Sequence, residues 1–425
     1  MKKERIIHIL YITVNFLLLM IPYYLTKKGN HSRNIGAIIL LVLTIIWIIV
    51  NKKLELNKKI LVTALGYVLF MTISLFFRND YPKDVIRNYI DLTVGILLFI
   101  GITQLSIDRK VYKYFPILIS FFLIFPIIRA LEGWKNHDFS TTYRIMGDNW
   151  PSVFSVEMGL LILVPMVFFF YEKKKFLKLF YLIITGLSYL VIVITQTRAI
   201  IVIIPFIFII LCIYKKKKNL LVLFSIVTLI LYIIFGGNIN KYFQRFSNEN
   251  NDGKYSTLIR MRIYERGLAL GVKSKFMGIG FRNYPDYSMK TEPHFPEYVN
   301  YETMSLKRTI GEIPVNNDTL HIWGYILSDH LHNNYLEVLV TQGILSFIFY
   351  ISLIFYIFKN LINKAKKEEN IEYVILGLVS LFFICVHGIL EANLYMVKVS
   401  QILCIILGLA LNNYNNEDTQ DIAKE

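Results

Sequence analysis

A dozen apolar runs of about twenty residues each, parted by short clumps of lysine and arginine, leave this chain few ways to fold. Each run is long enough for one helix to cross the hydrocarbon core of a bilayer. The runs lie at 6–24, 35–50, 60–77, 89–105, 115–131, 153–171, 177–197, 199–214, 220–235, 335–358, 373–390 and 396–411. They are continuously apolar, without the alternation of a barrel strand, so the backbone satisfies itself as helix. Hydrophobic residues make up 55% of 425 positions, more than a soluble domain of this length can bury. The expectation is an all-α membrane protein of about 12 transmembrane helices with one large extracytoplasmic loop containing short helices.

The lysines and arginines set the orientation. With the N-terminus inside, 23 of the 46 basic residues fall on inner segments and 11 on short outer ones. Long loops are discounted in this comparison, so both termini are expected in the cytoplasm. The net charge of +16 then reflects anchoring at anionic headgroups, and no nucleic-acid partner is expected. Cys212, Cys385 and Cys404 all fall within apolar runs, so no disulfide framework supports the loop.

Three regions follow: helices one to nine over 1–236, the extracytoplasmic loop over 237–332 as a catalytic lid, and helices ten to twelve with a cytoplasmic tail over 333–425. Within the loop, 255–272 is expected to be helical, with Ser256 as N-cap and Gly271 near the end. The Gly- and aromatic-rich stretch 276–285 reads as turns. Ser288 serves as the position at which the loop should be open to an impermeant thiol reagent.

Few residues have the placement that chemistry needs. Arg198 stands between two apolar runs at the expected outer surface. A guanidinium there is either a snorkelling anchor or a ligand for phosphate oxygens. Arg260, Arg262 and Arg266 lie on the loop helix, with Arg262 and Arg266 sharing a face and Arg260 pointing elsewhere. They are either a solvated basic face or anion ligands. The loop histidines are His294, His321, His330 and His332. His332 stands where the loop re-enters the membrane, and imidazole suits proton transfer near neutral pH. Asp329, His330 and His332 also invite a metal reading, but two ligands at alternating positions are weak grounds for one, and neither a metal nor a cofactor is expected. His387 and Glu391 sit at the outer end of the eleventh run, as functional candidates or as structural hydrogen-bonding groups. Gly278-Ile279-Gly280 lacks the third glycine of a dinucleotide fingerprint.

Taken together, these motifs resemble the O-antigen ligase and O-antigen polymerase superfamily. Thr197-Arg198-Ala199 is similar to the family's Ser-Arg-Gly-Ala-like turn. Arg260, Tyr264 and the stretch Lys275-Phe276-Met277-Gly278-Ile279-Gly280 resemble its loop motif, with Tyr for Trp and Lys for Pro. His332-Asn333 through Gly343, with Ser346 in place of a second glycine, is similar to its re-entry motif. Gly147-Asp148-Asn149-Trp150-Pro151 echoes an upstream stretch. The resemblance implies a metal-independent glycosyltransferase using a glycan on undecaprenyl diphosphate. The ligase branch transfers it to lipid A–core, and the polymerase branch to a second lipid-linked glycan. It further implies His332 as base, Arg198 and Arg260 as diphosphate ligands, and Arg262, Arg266, Asn333 and Glu391 in support. A bacterial inner-membrane location goes with it. A polysaccharide flippase is the competing reading, but it would need polar groups near mid-bilayer, where these runs hold few.

Overall fold

The computed structural model describes residues 2–26, 39–40, 42–47, 49–50, 56–139, 151–222, 251–290, 328, 330–368 and 370–412. All regular structure among them is helical. In chain order the first helices are α1 (Lys2–Thr26), α2 (Lys58–Leu75), α3 (Lys83–Gln104), α4 (Arg109–Phe122) and α5 (Ile124–Lys135). Next come α6 (Pro151–Leu161), α7 (Leu163–Tyr171), α8 (Lys175–Ile194) and α9 (Arg198–Tyr214). The loop contributes α10 (Asn251–Lys273) and α11 (Tyr284–Lys290). The last are α12 (Asn334–Glu337), a π-helical turn over Val338–Gln342, α13 (Ile344–Lys366), α14 (Ile371–His387) and α15 (Val397–Leu411).

With α4–α5 and α6–α7 each counted as one unit, seven of these are long and apolar enough to cross a membrane, and α9, α14 and α15 are shorter apolar helices. The chain is a multi-pass membrane protein. The expected second run is helical where described, and only 220–222 of the ninth are described. The count of twelve therefore extends beyond the described residues, as do residues 147–150, His294, His321 and Asp329. α6–α7 runs through the centre of the bundle, buried along almost its whole length. Around it, α15 packs along α3, α13 along α2, α1 along α4, and α7 along α8. The outward flanks carry exposed Phe16, Leu69, Val202, Phe206, Ile348 and Phe355. So large an apolar exterior requires lipid around it.

Local sequence explains several boundaries. Asn57 and Asp108 cap α2 and α4 through their side-chain oxygens, which accept from Lys59 N–H and Lys110 N–H. α8 turns into α9 within Thr195–Thr197, with Gln196 in the left-handed region at φ +58°, so the expected tight turn is present. The loop helix begins at Asn251, which places Ser256 inside it rather than at its cap. The tenth run also differs from expectation. Its first turns form α12 and the π-helical segment, which stop at Gly343 with φ +92°, and the long helix starts only at Ile344.

That break anchors the loop. The amides of Ile279 and Gly280 donate to the carbonyls of Val340 and Thr341 at 3.1 and 2.9 Å, and Ile344 N–H donates to Phe276 O at 2.8 Å. Gly278 and Gly343, both at positive φ, cross there so closely that a Cβ on Gly343 would lie 2.6 Å from Met277 O. Arg78, just past α2, ties the far side. Its buried guanidinium donates to Phe281 O, Arg282 O and the carboxylates of Asp80 and Asp286. Ser288 is fully buried and bonded to Arg266, so Met277, 62% exposed, is the accessible marker on this segment.

Candidate active site

His330 and His332 stand on the short segment that leads from the loop into α12. The segment is pinned at several points. Asn333 caps α12, its Oδ1 accepting from Tyr335 N–H and Leu336 N–H, while its Nδ2 donates to Ile389 O at 2.9 Å. Asn334 N–H donates to Gly388 O at 2.7 Å. Glu337 Oε2 accepts the amide of Leu331, between the two histidines, at 2.7 Å. The Tyr264 hydroxyl on α10 lies 3.1 Å from His332 O and 3.2 Å from Ile389 O. These contacts hold His332 at φ +48°, a conformation that non-glycine residues adopt only when their surroundings enforce it.

The two imidazoles converge on one carboxylate oxygen. Glu391 Oε1 accepts from His330 Nε2–H at 2.6 Å and from His332 Nδ1–H at 2.8 Å. Arg260 on α10 approaches the other oxygen, Oε2, at 3.7 Å. Burial would raise the Glu391 pKa. The hydrogen bonds from His330 and His332, with the charge those rings carry when protonated, outweigh it and hold the carboxyl below the usual carboxylate range. An ionised Glu391 fixes the tautomer of neutral His332, with its proton on Nδ1 and the lone pair on Nε2. The histidine side chains remain 22% and 27% exposed while Glu391 is 10% exposed. The site is thus an accessible imidazole backed by a sheltered charge.

Of the residues singled out from sequence, His332, Arg260, Asn333 and Glu391 come together here. Arg266 instead turns inward, its guanidinium donating to the hydroxyl and carbonyl of Ser288, and joins α10 to α11. The Arg262 side chain lies outside the described residues. His387 bonds Asn393 through Nδ1 at 2.7 Å and stacks on Phe383. Arg198 is exposed at the start of α9, at the same end of the bundle. Gly159 on α6 meets both Ile200, two residues beyond Arg198, and Phe383, one turn before His387.

Residues 179–351 match the O-antigen ligase family model. The match, which covers less than half of the chain, supports a likeness to the O-antigen ligase and polymerase superfamily. It takes in Arg198, Arg260, His332 and Asn333 and ends before Glu391. No curated protein matches the chain. The family is one of glycan-transferring membrane enzymes, which suits a site built from hydrogen-bonded side chains at one end of an apolar bundle.

Sequence reasoning passed over three groups. Glu337 is fully buried and its carboxyl is pushed up by burial, partly offset by the Leu331 amide. Lys398 and Glu157 form an ion pair at 2.9 Å, each side chain 5% exposed, between α15 and α6. Arg78 is the clamp described above. Glu157 and Lys398 did leave a signal, as charges inside otherwise apolar runs.

Proposed function

We propose that this protein transfers a glycan from undecaprenyl diphosphate to a sugar hydroxyl of lipid A–core at the outer face of the bacterial inner membrane, with both termini in the cytoplasm. The observation that carries this reading is the hydrogen bond from His332 Nδ1 to Glu391, which leaves Nε2 as proton acceptor. His332 Nε2 takes the proton of the acceptor hydroxyl, and the oxygen attacks the anomeric carbon. The bond to the diphosphate breaks, and its electron pair leaves on the diphosphate. Arg198 and Arg260 stabilise that growing charge. Glu391 steadies the imidazolium formed, with Asn333 and Tyr264 fixing the backbone beneath it. The prenyl chain stays in lipid, and the loop, residues 237–332, covers the headgroup as a lid that excludes water. No metal takes part.

The test uses purified protein with lipid-linked donor and acceptor. His332→Ala is expected to lower transfer by about a hundred- to ten-thousandfold with unchanged membrane abundance. Turnover close to the unsubstituted enzyme would remove the base from this mechanism. Activity is expected to survive EDTA. A deletion strain separates the two branches: loss of glycan from lipid A–core with long lipid-linked polymer retained marks a ligase, whereas single lipid-linked repeats mark a polymerase.

A further inference from the structure

The same three groups that hold the base in place also make up a set of metal ligands. His330 Nε2, His332 Nδ1 and Glu391 Oε1 all lie within 4.8 Å of one another. Two imidazole nitrogens and one carboxylate oxygen with an open fourth position are a ligand set that zinc favours. Zinc bonds of about 2.1 Å place tetrahedral ligands roughly 3.4 Å apart, so the carboxylate–imidazole separations of 2.6 and 2.8 Å must open by about 0.6–0.8 Å, while the two ring nitrogens, within 4.8 Å of each other, settle at the same spacing. Both histidine rings are partly exposed, so an ion can reach them from solvent. Arg260 approaches Oε2 and leaves Oε1 to the ion. The ion must still displace two hydrogen bonds and tolerate a nearby guanidinium, which suits a reversible site better than a permanent one.

We propose that His330, His332 and Glu391 form an inhibitory site for a zinc-like divalent cation, which switches the enzyme off by moving the single proton of His332 to the wrong nitrogen. A neutral imidazole holds one proton. When a metal binds Nδ1, that proton passes through solvent to Nε2, and the ring stays neutral with no net proton lost. Nε2 then has no lone pair to offer the acceptor hydroxyl. Binding by these groups stands on the geometry alone. Inhibition rests in addition on the general-base role of His332.

The experiment titrates full-length protein in lipid nanodiscs with ZnCl₂ against a competing chromophoric chelator, and separately with CoCl₂, whose visible absorption reports a tetrahedral site. The unsubstituted protein is expected to bind one Zn²⁺ per chain. His330→Gln and Glu391→Gln, each checked by size-exclusion profile, are expected to bind at least about tenfold more weakly. Equal binding by the unsubstituted protein and both variants, or no saturable binding at all, overturns the site. Saturating Zn²⁺ is expected to abolish transfer, with recovery on adding EDTA. Saturable Zn²⁺ binding lost in both variants but without inhibition would keep the site and overturn the inhibitory mechanism, while the base role of His332 is decided separately by His332→Ala.

Discussion

Glu391→Gln isolates the contribution of one negative charge to the transfer reaction. The amide nearly matches the carboxylate in size, so the packing around 10%-exposed Glu391 is retained. What disappears is the attraction between the carboxylate and the imidazolium that forms as His332 takes a proton. The hydrogen-bonding atoms are 2.8 Å apart, which puts the charge centres about 4 Å apart. At an effective dielectric of about 20 that attraction is about 4 kcal/mol, or close to a thousandfold in rate. His332 is 27% exposed, and water screening of half the attraction would leave about 2 kcal/mol, roughly thirtyfold. The expected fall in kcat thus lies between about thirtyfold and a thousandfold. The assay is single-turnover transfer from saturating lipid-linked donor, so that chemistry and not release is observed. A fall smaller than about threefold would show that Glu391 does not stabilise the transition state, whatever His332 does.

Further substitutions test separate parts of the structure. Arg198→Lys keeps the charge but loses the planar fork that matches phosphate oxygens, so kcat/KM, measured at donor concentrations below saturation, is expected to fall by at least about tenfold. Gly343→Ala places a Cβ at φ +92° against Met277 O, and it should lower the thermal midpoint in detergent by an amount equivalent to about 1–3 kcal/mol. Lys398→Met strands Glu157 in the bundle and is expected to destabilise by about 3–5 kcal/mol, with most of this recovered when Glu157→Leu is added. Glu337 carries a raised pKa, so the stability it lends is whole below the ordinary carboxyl range and declines as pH rises through the raised value. Glu337→Gln should therefore raise the thermal midpoint more at pH 8 than at pH 5.

The membrane bundle was legible in the chain because lipid demands an unbroken apolar run, and nothing else in the sequence imitates one. His332-Asn333 was legible too, since it stands where the loop meets the membrane. The break at Gly343 was not. Apart from Thr341, Gln342 and Ser346 the residues from Val338 to Phe349 around it are apolar or Gly, and hydropathy does not distinguish a π-helical turn from the first turn of a span. A helical wheel places Arg260 and Arg266 on different faces but does not say what each face meets. Their partners, Glu391 for one and Ser288 for the other, depend on the α14–α15 connection and α11 packing there. Glu391 lies 59 residues from His332 in sequence, so no local spacing announces that the two share a hydrogen bond.

The crossing of Gly278 over Gly343 also decides what can be exchanged between related chains. The loop and the start of α13 share backbone hydrogen bonds and have no room for a side chain between them, so neither half reads correctly against a foreign partner. A chimera that imports a loop to change the accepted glycan must carry residues through Ile344 from the same parent. Cutting at the membrane boundary, the obvious place on a hydropathy plot, would divide the unit that keeps the histidines in place.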